Sequence, residues 1–168
     1  MSERVNKNIC GSCHRHRLTA MFSTITLLFV AACGQPAAVT TQSSPAQADI
    51  GIRAFAGICL ATAPSFRSAA SKSSGFGLGP MKDMGFMQMA STPDGSLAMQ
   101  LKAGQECVIT TPDRSNIAQL RQDLAAAISN VTGQNISENF PQVVNIGGQS
   151  FIIQHDSNGG EAYVILKK

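Results

Sequence analysis

The sequence predicts an α+β fold: a single small domain in the order αα-βββ-α-βββ, with an antiparallel sheet and helices packed on it. Three observations predict it. Apolar residues recur at helical spacing after Asp49 and again after Thr111-Pro112-Asp113. Apolar residues alternate with polar or small ones along the segments between and beyond these helices. The alternating segments are separated by short turn signals, which favour antiparallel pairing over long parallel crossovers.

The first helix follows from Asp49, a good N-cap, with Ile52, Phe55, Ala56 and Cys59 on one face. A second short helix is expected with Pro64 in its first turn, Phe66, Ala69 and Ala70 inward, and Ser73-Ser74-Gly75 at its end. Residues 75–80, GFGLGP, form a glycine-rich turn. No strand precedes it and no Gly-Lys-Ser/Thr follows, so it is not a phosphate-cradling loop. Strands are predicted over 86–90 and 97–101 around the turn Thr92-Pro93-Asp94-Gly95, and a third over 106–110. The third helix opens at Thr111-Pro112-Asp113, carries Ile117, Leu120, Leu124, Ile128 and Val131 on one stripe, and closes at Gly133. Three last strands, 142–146, 149–155 and 161–166, are joined at Gly147-Gly148 and Ser157-Asn158-Gly159-Gly160.

The chain has 168 residues, 43% hydrophobic and 14% charged, enough for one core plus tails. The net charge of +3 is carried entirely by Arg4, Lys7, Arg15 and Arg17 against Glu3, so everything from residue 33 onward is neutral. That removes the electrostatic case for a nucleic-acid partner. With no Trp and one Tyr, aromatic binding platforms are not expected either.

Residues 18–32, LTAMFSTITLLFVAA, follow Arg15-His16-Arg17 directly. A positive stretch, a short apolar run and small residues make a signal-peptide pattern. The run is shorter than the ~20 residues a membrane-spanning helix needs. Its last four positions, Val30-Ala31-Ala32-Cys33, resemble the lipobox of bacterial lipoproteins. The resemblance implies a diacylglyceryl group on Cys33, cleavage just before it, and a mature protein that starts there. Gly34 stands next, where an Asp would imply retention at the inner membrane. The expected location is therefore the bacterial cell envelope, with the outer membrane facing the periplasm preferred to the inner membrane. Two or three acyl chains hold a protein stably, each buried CH₂ adding about 0.8 kcal/mol. Residues 34–48, GQPAAVTTQSSPAQA, read as a flexible tether, and 49–168 as the folded domain.

Upstream, Cys10-Gly11-Ser12-Cys13-His14 has the spacing of c-type haem attachment, and with His16 it also has zinc-ligand chemistry. Haem is attached after export, whereas this stretch stays behind and is discarded on cleavage, so no cofactor is expected. After export Cys59 and Cys107 remain beside the lipidated cysteine. An even count in an oxidising compartment predicts one disulfide, with two buried free thiols as the alternative. The spacing Phe55-x-x-x-Cys59-Leu60-x-x-x-Pro64-x-Phe66, with Gly75-Phe76 and Cys107-Val108, resembles small uncharacterised bacterial secreted or lipid-anchored proteins; it implies no activity.

Three candidates for chemistry stand in the domain. Met81, Met84, Met87 and Met89 are soft thioethers of the kind that hold Cu(I) in exported proteins. Core packing is the plainer account, since Met fills irregular gaps and the spacing of Met87, Met89 and Met99 points them at one sheet face. His155, the one histidine of the domain, sits beside Asp156 at a hairpin end, where a solvated imidazole is the default. A small envelope hydrolase would need His155 with a serine such as Ser150, and no G-x-S-x-G motif is present. The leading expectation is a cell-envelope lipoprotein with a non-catalytic binding or structural domain. Its partners would be the membrane, through the N-terminal lipid, and an envelope protein.

Overall fold

The computed structural model describes residues 49–112 and 114–168. The signal segment, Cys33, the tether and the Cys10–His14 motif lie outside the described residues. The fold is α+β, built on one seven-stranded antiparallel sheet with the strand order β1-β2-β3-β4-β7-β6-β5.

Helix α1 (Ile50–Ala54) begins where Asp49 Oδ1 accepts the Gly51 N–H at 2.8 Å. It runs straight into a π-helical stretch, Phe55–Leu60. Ile52, Phe55 and Cys59 are buried as their spacing predicts, and Ile58 joins them. The second helix is shorter than expected. α2 spans Ala69–Ser73, Pro64 lies in the turn before it, and Ala70 faces solvent. Phe66 is buried ahead of the helix and stacks edge-on against Phe151 at 5.9 Å, so tertiary packing anchors this segment more than helix length does.

The strands are β1 (Lys82–Asp83), β2 (Gln88–Ser91), β3 (Ala98–Lys102), β4 (Glu106–Thr111), β5 (Gln142–Ile146), β6 (Gln149–Asp156) and β7 (Glu161–Lys167). β1 is too short to leave an alternation and has no counterpart in the sequence reading. Phe86, expected in a strand, lies in the turn between β1 and β2. Thr111 stays in the ladder opposite Glu161, so the third helix cannot open there. α3 (Ile117–Thr132) starts instead at Asn116, whose side chain accepts the Gln119 N–H at 3.2 Å. Gly133, at φ 69°, closes it as predicted.

The chain meanders through β1–β4, crosses by α3 to the far edge, and returns through β5 and β6 to set β7 against β4. The face carrying Met99, Leu101, Cys107, Ile109, Phe151, Ile153, Tyr163 and Ile165 packs on Ile52, Phe55, Ile58, Leu120, Leu124 and Ile128. The register corrects one expectation. Met99 pairs with Ala90 on this inner face, whereas Met89 pairs with Gln100 on the opposite face. Even spacing within one strand says nothing about parity in the next, which register alone sets. Cys59 and Cys107 form a disulfide with Cα atoms 5.6 Å apart, joining the π-helical stretch to β4 at the sheet centre. Among the described residues no helix is long and apolar enough to cross a membrane.

Candidate functional site

The polar residues with chemical potential gather at the end of the core where α1 begins. His155 is the last residue but one of β6, and Glu161 opens β7. His155 pairs directly with Tyr163, so Glu161, two residues before Tyr163, is its diagonal neighbour on the same inner face. Nε2 of His155 and Oε2 of Glu161 are 2.6 Å apart, and their side chains are 0% and 1% exposed. This overturns the solvated imidazole expected at a hairpin end. His155 shares its face with Phe151 and Ile153, which takes it into the core.

The pair belongs to a connected chain of polar contacts. Glu161 Oε1 accepts the Arg114 backbone N–H at 3.2 Å. Arg114 Nε bonds Asp49 Oδ2 at 3.1 Å, and the other oxygen of Asp49 caps α1. The imidazole lies flat on the Tyr163 ring, with centroids 5.1 Å apart and planes 6° from parallel. Tyr163 in turn tilts against Phe55 at 6.3 Å. Gly51 lets α1 approach this closely: a Cβ there would stand 2.6 Å from the Tyr163 ring and 2.8 Å from the Thr111 methyl. Burial, reinforced by the charges of Asp49 and Glu161, pushes the Tyr163 phenol far above its usual range.

A general acid or base must lie within hydrogen-bond reach of the proton it moves. His155 and Glu161 are sealed from solvent, so this geometry suits a strut between two strands and the first helix. Removing one member of such a buried pair leaves the other uncompensated, at a cost of about 3–5 kcal/mol. Ser150 does not join them. It stands at the other end of β6, an odd number of positions from His155, and so on the opposite face.

The four methionines are divided. Met81 packs on the core, Met84 is 53% exposed in the β1–β2 turn, and Met87 and Met89 are half-buried near and on the outer sheet face. No group of three or more His, Cys, Asp or Glu among the described residues is placed to hold a metal ion.

Sequence reasoning missed the His155–Glu161 pair, but a signal for it exists. Glu161, Tyr163 and Ile165 alternate onto one face, and Tyr163 and Ile165 mark that face as the core. A carboxylate there requires a partner, and His155 is in phase with Phe151 and Ile153 across the turn.

Fold and site together define a one-sided α+β domain: an antiparallel sheet with helices on one face, locked at one end by a buried polar strut. Comparison of the chain with protein-family models, curated proteins and solved structures finds no match.

Proposed function

We propose that this protein is a cell-envelope lipoprotein, anchored through Cys33, whose domain works as a binding or structural module. The observation that carries the second half is the closed seat of the His155–Glu161 pair. The constellation best suited to acid–base chemistry is packed as a core strut, which leaves the domain's surface as what it offers its surroundings. The first half rests on the Val30-Ala31-Ala32-Cys33 pattern at the end of an apolar run, and the Cys59–Cys107 disulfide supports an oxidising compartment.

Metabolic labelling with an alkynyl fatty acid tests the anchor. Cys33→Ser is expected to abolish labelling and to release the protein from the lipid-anchored membrane fraction. Labelling that survives Cys33→Ser refutes the anchor site.

A further inference from the structure

We propose that the β1–β2 hairpin tip, residues 84–87, inserts into the headgroup region of an anionic lipid bilayer. The inference goes beyond the anchor at Cys33, because it concerns a second contact made by the folded domain.

The tip exposes apolar side chains in a fixed geometry. Phe86 is 72% exposed and Met84 53%, so two of the large apolar residues that the fold leaves most open stand on one turn. The turn is held shut by Met84 N–H donating to the Met87 carbonyl at 2.8 Å. Gly85 N–H donates to Asp83 Oδ1, also at 2.8 Å, with Gly85 at φ 85°, a conformation that suits glycine. Phe86 is therefore displayed by a hydrogen-bonded turn, where burying it against the core would have been the favourable outcome in water.

Charge selects the partner. The register places the tip, the β3–β4 turn and the end of β7 at one end of the sheet. That end carries Lys82, Lys102, Lys167 and Lys168 against Asp83 and Glu106, with Lys102 paired to Glu106 at 3.1 Å. The other end carries Asp94, Asp156 and Glu161, together with Asp49, which is paired to Arg114 at 3.1 Å and has Arg53 one helical turn away. With neighbouring strands about 4.8 Å apart, the β7 lysines lie roughly 15 Å from the tip. An apolar tip at a sheet end where four lysines stand against two carboxylates matches an anionic membrane surface, where juxtamembrane basic residues are attracted within a Debye length. It does not match a cationic or a purely apolar partner.

The tether permits this orientation although the domain begins at the acidic end. Sixteen residues from 33 to 48 reach up to ~55 Å when extended. The longest strand, Gln149–Asp156, spans only ~26 Å.

The absence of tryptophan makes the test direct. Phe86→Trp in the full chain carries one indole, and Val143→Trp places one at a 54% exposed position on the far edge strand. Each protein is mixed with excess vesicles of phosphatidylcholine, alone or mixed equally with phosphatidylglycerol, containing lipids brominated on their acyl chains. Flotation, compared with and without Cys33→Ser, reads the anchor; quenching reads the tip. The expected result is blue-shifted emission and severalfold stronger quenching at position 86 than at 143, greatest with phosphatidylglycerol. Lys167→Glu with Lys168→Glu is expected to reduce it. Quenching at 86 no greater than at 143 on floated protein overturns the proposal and leaves the anchor standing. A blue shift at 86 that needs no vesicles and grows with protein concentration also overturns it, because a second copy then covers the tip.

Discussion

Tyr163 is the one tyrosine of a chain that has no tryptophan, and it lies fully buried between the His155 ring and Phe55. Its phenol is raised above the ordinary value near 10 chiefly by desolvation, then by Asp49 and Glu161. A group whose folded pKa is raised contributes stability that is complete below the unfolded value and is lost as pH climbs past it. Stability is therefore expected to fall above about pH 10. Tyrosinate absorbance should rise only together with the loss of secondary structure, with no separate step at lower pH. A phenol that titrates near pH 10 in folded protein would show that the ring is not sealed. The neighbouring His155 illustrates what a residue's sequence surroundings conceal. Asp156 and a glycine-rich turn adjoin it in the chain, yet strand alternation turns its side chain inward to Glu161.

At the scale of elements, β5 is an edge strand that presents backbone groups to solvent, a position that invites pairing with another chain. The carboxamide of Gln134, just past the end of α3, covers part of it. Gln134 Nε2 donates to the Asn145 carbonyl at 2.8 Å, and the Asn145 N–H donates to Gln134 Oε1 at 3.2 Å. The side chain thus copies the paired contacts of an eighth strand. Gln134→Ala is expected to cost about 1 kcal/mol, because the two bonds are exposed. It should also accelerate amide exchange at Asn145 and introduce concentration-dependent self-association in sedimentation. Unchanged exchange at Asn145 would show that the edge is not protected by this contact. Gln134 carries no signal in the sequence, since its partner is a backbone eleven residues on. The predicted strands of the second half fared better. Residues 142–146, 149–155 and 161–166 coincide with β5, β6 and β7 to within a residue, because turn residues bracket each of them.

For the whole molecule, the Cys59–Cys107 bond joins the helical layer to the middle of the sheet across 48 residues of chain. Closing a loop of that length stabilises the fold by about 4 kcal/mol in the chain-entropy model. For a domain whose sheet has helices on one face, that is a large share of a net stability of ~5–15 kcal/mol. Reduction, or Cys59→Ser with Cys107→Ser, is expected to lower the unfolding free energy by a similar amount, read as a lower denaturant midpoint. An unchanged midpoint would mean that the bond constrains nothing the core does not already fix. The division of charge between the two ends of the sheet also belongs to this scale. The domain sequence is neutral, so only the fold assembles Lys82, Lys102, Lys167 and Lys168 at one end and the acidic residues at the other.

Local patterns in the chain were enough to determine the α+β class, the cap at Asp49 and the close of α3 at Gly133, while the pairing of Cys59 with Cys107 was expected from a cysteine count that sets aside Cys10, Cys13 and Cys33 as export-signal and anchor residues. Each depends on neighbours a few residues away or on a simple count of cysteines. Tertiary structure decided the rest. Register put Met99 in the core and Met89 outside it, set Glu161 diagonal to His155, and left Phe86 on a turn instead of in a strand. These outcomes follow from which strands lie side by side, and alternation within a single strand carries no information about its neighbour's phase.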